Sequence, residues 1–179
     1  MILSLRRRFV NKIWLLLTDT VGNLGRYPNY YNNLNDTFNS HMLSSKRIIE
    51  MDILRTNADT ITPEIKAKMR RILYNYAKRN MKIGYCQGMN FICFYFLSCG
   101  FTEEETFWIL VYIIENLIPR DYYINMVPII SDIKMFRHIL NEKCPKLVQQ
   151  IQKISVDLNF ILIPWFVMAF ANIDNDEVS

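Results

Sequence analysis

The sequence predicts an all-α fold, and three observations carry that expectation. Apolar residues recur at spacings of three and four along most of the chain. Glycine and proline are scarce, five and six among 179 residues, which disfavours a turn-rich β architecture. No stretch sustains the period-two alternation of a half-buried strand. Hydrophobic residues make up 51% of the chain and charged residues 21%, the balance of a globular protein rather than a disordered one. The length suits one domain over residues 1–179, with no internal repeat and no linker-like segment.

The elements follow in order. Phe9, Ile13, Leu16 and Leu17 fall at i, i+4, i+7 and i+8 and predict a first amphipathic helix that also carries Trp14. Gly22, Asn23, Gly25 and Pro28, with the polar run Asn32, Asn33, Asn35 and Asp36, predict a loop. Between Ser45 and Asn57 the periodicity is weak. Thr62-Pro63-Glu64 is a strong helix start, with proline at the first helical position, and Ile65, Met69, Ile72, Leu73, Tyr76 and Ala77 mark one face as far as Asn80. Met89, Ile92, Cys93, Phe96 and Leu97 form the next stripe, closed by Gly100. Thr102 and Glu105 fit a capping box for a helix running to Leu117 and stopped by Pro119. Ile129 to Leu140, then Leu147 to Ile154 after Pro145, read as two further helices, and Pro164 to Ala171 as a last, buried one.

Charge and cysteine usage exclude some functions. A formal charge of +4 is too mild to imply nucleic acid. Lys66, Lys68, Arg70, Arg71, Lys78, Arg79 and Lys82 form an acid-free run, either a solvated helix face or a surface for an acidic partner or anionic lipid; Arg6, Arg7 and Arg8 admit the same two readings. Cys86, Cys93, Cys99 and Cys144 lack Cys-x-x-Cys spacing, and His41 and His138 lie far apart. Neither a metal site nor a Cys/His catalytic pair is suggested, and the thiols are expected to be free and buried. No secretory signal is visible, and the longest apolar run, Phe160 to Ala171, is too short to span a membrane. A cytoplasmic location is expected.

Two polar constellations stand outside the helical pattern. In Ile49-Glu50-Met51-Asp52-Ile53-Leu54-Arg55-Thr56, Asp52 and Arg55 are helix neighbours three apart, which is either a surface salt bridge or a device that aims a guanidinium. In Gly84-Tyr85-Cys86-Gln87-Gly88-Met89-Asn90, two glycines bracket an aromatic and an amide, which is either a helix junction or a loop that aims a side chain outward. Together, Ile49, Asp52, Arg55 and Thr56, followed about thirty residues later by Tyr85, Gln87, Gly88 and Met89, resemble the two signature motifs of the TBC domain, the Rab GTPase-activating module. Arg8 to Leu17 with Trp14, Thr106-Phe107-Trp108 and the segment from Trp165-Phe166 to Phe170-Ala171 resemble further family segments. The chain departs from the pattern at Val10, where the family carries an arginine. It departs again after Ala171, where the family continues with further helices; a TBC domain short of its last helices is expected.

The resemblance implies a dual-finger mechanism. Arg55 would be the arginine finger, stabilising charge on the transferring phosphoryl group, and Gln87 would orient the attacking water. Asp52 would orient Arg55, while Tyr85, Gly88 and Met89 would shape the loop that presents Gln87. The chain would be an activator working in trans, with no cofactor of its own, since GTP and Mg2+ belong to the Rab-family partner. A peripheral contact with endomembranes accompanies this reading. The alternative function is a non-catalytic Rab-binding or trafficking scaffold.

Overall fold

The computed structural model describes residues 2–35, 43–56, 61–119, 121–125 and 127–171. Outside them lie Asp36, His41, Asn57 and the terminal stretch 172–179, and the side chains of Arg6 and Arg7 are likewise outside. Ten α-helices form among the described residues, and no strand. They are α1 (Ile2–Leu17), α2 (Thr20–Arg26), α3 (Tyr30–Asn35), α4 (Leu43–Arg55), α5 (Pro63–Arg79), α6 (Met89–Ser98), α7 (Glu103–Tyr112), α8 (Val127–Lys143), α9 (Pro145–Lys153) and α10 (Asn159–Val167).

Helix α5 is the central element and packs on α3, α4, α6 and α7. It starts where its sequence signals say: the Thr62 hydroxyl accepts from the Ile65 N–H, Pro63 sits at the first position, and Asn80 caps the end. Met69, Ile72, Leu73, Tyr76 and Ala77 are all buried. Helix α6 ends in a Schellman arrangement about Gly100 (φ +87°), with Gly100 N–H donating to Leu97 O and Phe101 N–H to Phe96 O. Phe101 packs back on Phe96 at 5.4 Å between ring centroids. The Thr102–Glu105 capping box is formed in both directions. Helix α7 then winds into a π-turn over Ile113–Leu117, which delivers Glu115 to Arg79 in the last turn of α5.

Four expectations are corrected. The Gly22–Asn35 region keeps a turn only at Tyr27–Asn29 and is otherwise helical (α2 and α3), because Tyr27, Tyr30 and Tyr31 lay their rings against Phe107 and Trp108 of α7, and that packing outweighs poor local propensity. On α1 the apolar stripe is the solvent face: Phe9 is 66% and Leu16 73% exposed. The packing face is Asn11, Trp14, Leu15 and Thr18; Trp14 meets Phe96 edge-on at 5.1 Å, and Asn11 Nδ2 donates to Cys99 O. The last helix begins at Asn159 and contains Pro164 rather than starting there, and Phe160 on it is 82% exposed. Cys144 is exposed, whereas Cys93 is buried and Cys86 and Cys99 are half-buried; all four are free.

The arginines of the basic run tie α5 to its neighbours. Arg70 makes a bidentate pair with Glu50 of α4 at 2.6 and 2.7 Å, Arg71 pairs with Glu103 of α7, Arg79 with Glu115, and Lys68 with Glu64. Tyr74 donates to Glu50, and Tyr31 donates to Glu103. Four of the seven cations in the run thus have carboxylate partners, three of them from other elements. Among the described residues no helix is long and apolar enough to cross a membrane.

This packing sets two expectations for stability. Trp14→Ala should cost about 3 kcal/mol in urea unfolding, while Leu16→Gln on the opposite face of α1 should stay within about 0.5 kcal/mol. Glu50 is held below its ordinary value of 4.5 chiefly by the hydrogen bond from Arg70. A depressed folded value means its contribution is present above about pH 4.5 and lost as pH falls through the lowered value. Glu50→Gln should therefore be destabilising in urea melts at about pH 7, and the gap to the parent should shrink at about pH 3.

Candidate functional site

The site grows from the end of α4 and the loop before α6. On α4, Ile49, Asp52, Ile53 and Thr56 fall at i, i+3, i+4 and i+7 and are all buried, Ile49 and Ile53 at 0% exposure. That register puts a carboxylate into the packed face, where Asp52 is only 2% exposed, and turns Arg55 to solvent at 65%. Arg55 is the last helical residue, a favourable place for a cation beside the unpaired carbonyls. Asp52 Oδ1 accepts from its Nη2. Ile48, Met51 and Leu54 lie exposed around it on the same helix.

The other half is the turn from Gly84 to Gly88. Gly84 has φ +64°, and Gly88, the N-cap of α6, has φ +109°. Gly88 also sits where there is no room for a side chain: an added Cβ would meet Val167 Cγ1 at 2.7 Å and Val167 O at 3.2 Å. The end of α10 is thus the floor beneath this turn, and Tyr123 fixes it by donating to Val167 O at 2.9 Å. Met89 is fully buried, and Gln87 between Cys86 and Gly88 is exposed.

The two halves are bonded to each other. Tyr85 Oη lies 2.8 Å from Asp52 Oδ2 and 3.2 Å from Asn90 Oδ1. Gly88 N–H donates to Asn90 Oδ1 at 3.0 Å, Asn90 Nδ2 donates to Thr56 Oγ1 at 2.7 Å, and Thr56 Oγ1 donates to Asp52 O at 2.7 Å. Burial, followed by the hydrogen bond to Asp52, pushes the Tyr85 phenol up, so it stays a neutral donor at any ordinary pH. Burial also raises the Cys86 thiol above its ordinary 9.0, with Asp52 adding to the shift, which favours the protonated thiol next to Gln87.

A family model described as the Rab-GTPase-TBC domain matches residues 8–177. The chain belongs to that family. TBC1 domain family member 2B of Xenopus tropicalis is 32% identical over 151 residues, 81% of this chain and 16% of its own length. TBC1 domain family member 2A of Homo sapiens is 35% identical over 132 residues, 70% of this chain and 14% of its own. The chain thus spans about a sixth or less of these relatives. The solved Chlamydomonas flagellar RabGAP TBC domain shares the fold, with a TM-score of 0.76 at 24% identity over 92% of this chain and 56% of that one.

All eight residues singled out in the two TBC motifs fall in or beside this one cluster. Ile49, Thr56 and Met89 are buried in it, Asp52 and Tyr85 bond across it, Gly88 adjoins the α10 floor, and Arg55 and Gln87 face outward. Sequence reasoning gave no role to Asn90 or Val167. Asn90 left a faint signal, a lone amide inside the apolar run Met89 to Leu97. Val167 left none, because its part depends on a contact with a glycine 79 positions earlier (167 minus 88).

Gly88→Ala combines a left-handed φ with a steric clash and should cost about 1–3 kcal/mol in urea unfolding. Gly100→Ala, with a positive φ but nothing within 4 Å of the added Cβ, should cost about 1–2 kcal/mol and less than Gly88→Ala.

Proposed function

We propose that this chain accelerates GTP hydrolysis on a Rab-family GTPase by inserting Arg55 and Gln87 in trans. The observation that carries the reading is that a solvent-facing arginine and a solvent-facing glutamine are tied into one hydrogen-bonded frame through Asp52, Tyr85, Asn90 and Thr56. Phosphoryl transfer needs charge stabilisation on the transferring group and a positioned water. Arg55 suits the first role, because its planar, permanently charged fork matches phosphate oxygens and Asp52 holds it from behind. Gln87 suits the second, because a neutral amide can accept a hydrogen bond from water with its oxygen and donate from its nitrogen. The exposed Ile48, Met51 and Leu54 beside Arg55 supply apolar area for docking a protein surface.

In this reading the chain is an activator rather than a stand-alone enzyme, and the nucleotide and Mg2+ arrive with the partner. Work on the cytoplasmic side of endomembranes, where it would meet its partner, is part of the proposal. So is a peripheral membrane contact, for which α1 offers exposed Phe9, Leu16 and Leu17 beside Arg8 and Lys12.

Single-turnover GTP hydrolysis across a panel of Rab proteins tests it. Arg55→Ala should lower the maximal acceleration about 10³- to 10⁵-fold. Arg55→Lys should restore little of that loss, since a point charge lacks the fork. Gln87→Ala should also lose acceleration while leaving the melting temperature unchanged. A responding Rab that Arg55→Ala still accelerates fully would refute the arginine finger. Nucleotide-dependent binding with a flat hydrolysis rate would favour a holding module instead.

A further inference from the structure

We propose that Asn90 is a positioning residue that locks the Arg55-bearing helix end to the Gln87-bearing turn, so that the two side chains enter a partner in one fixed register. The proposal rests on the finger reading above. Asn90 is 2% exposed and stands at the second position of α6. Its amide plane is over-determined. Gly88 N–H can only donate, so the atom facing it at 3.0 Å is the amide oxygen. Thr56 Oγ1 commits its single proton to Asp52 O, so the atom facing it at 2.7 Å is the amide nitrogen. One side chain thus grips the backbone immediately after Gln87 and the residue immediately after Arg55.

No other residue of similar size does both. Aspartate offers two acceptors and no donor to Thr56, and it sets a second carboxylate near the buried Asp52. Alanine removes both bonds, and serine is too short to span from Gly88 to Thr56. Tyr85 forms a parallel tie through Asp52, but it acts on the start of the turn, whereas Asn90 acts on its end. Fixing both ends limits the swing of Gln87 between them. Because a misplacement of about 1 Å in a reacting group costs on the order of a hundredfold in rate, loss of this lock should appear in the transition state and not in docking.

The experiment is single-turnover GTP hydrolysis by whichever GTP-loaded Rab responds most strongly in the panel, at rising concentrations of the full chain. Maximal acceleration and half-maximal activator concentration are then read separately. The variants are Asn90→Ala, Asn90→Asp, Thr56→Val and Thr56→Ser, each with its melting temperature, beside Arg55→Ala and Gln87→Ala. Asn90→Ala, Asn90→Asp and Thr56→Val should lower maximal acceleration by about tenfold to a hundredfold while the half-maximal concentration moves less than about twofold. Thr56→Ser, which keeps the hydroxyl, should stay within about twofold of the parent. Combining Asn90→Ala with Thr56→Val should cost less than the product of the two single losses, because both cut the Asn90–Thr56 bond.

Folded variants that keep full maximal acceleration overturn the proposal. So do losses carried by the half-maximal concentration, or losses that multiply in the double variant. Should Asn90→Ala fail to fold, near-isosteric Thr56→Val decides alone. If no Rab responds, or if Arg55→Ala and Gln87→Ala both retain full acceleration, the finger reading falls and this proposal with it. If those two lose acceleration and the Asn90 and Thr56 variants do not, only the positioning role is lost.

Discussion

Asp52 is a carboxylate with almost no access to water, and a group in that position is tolerated only when its charge and lone pairs are answered. One oxygen is answered by Arg55 on the same helix and the other by Tyr85 from the loop before α6. The requirement runs in both directions. The carboxylate needs these donors to be buried at all, and in meeting that need it fixes where the guanidinium starts from and where the loop begins. A surface pair of the same two residues would have held nothing in place. Burial of the acid converts a common i,i+3 pair into a joint between two parts of the chain.

Directional charge pairing extends along α5. Its arginines are taken up by Glu50, Glu103 and Glu115, each from a neighbouring element, and two of these carboxylates also receive a tyrosine hydroxyl. The central helix is therefore held on its polar flanks by these pairs as well as on its apolar face by the core. Since Glu50 lies on α4 two residues before Asp52, the pairing that seats α4 on α5 also sets the height at which Arg55 leaves the body of the domain.

Most of the fold was legible because helix signals are local. Thr62-Pro63-Glu64, the Thr102–Glu105 box and Gly100 each declared an end, and the ends are where they point. Legibility failed where distant contacts outvote local preference. Gly22 and Gly25 look like loop residues until Tyr27, Tyr30 and Tyr31 find Phe107 and Trp108, roughly eighty positions further along. The α1 stripe misled for a related reason, since periodicity reveals that a helix has an apolar face but not that a partner covers it. At the candidate site, the residue types and their spacing could be read through a family resemblance. The bonds from Asn90 could not, because an amide in an apolar run announces a partner without naming it.

The support that Val167 gives Gly88 has a consequence for how such proteins are recognised. A polypeptide ending ahead of Asn159 would retain every residue of both signature motifs and would match any search built on them. It would nevertheless lack the floor on which the glutamine turn rests, together with the carbonyl that anchors Tyr123. Possession of the motifs and possession of a shaped site are thus separable properties. Part of the second is encoded about eighty residues downstream of Gly88, in a helix whose own sequence carries no catalytic signature.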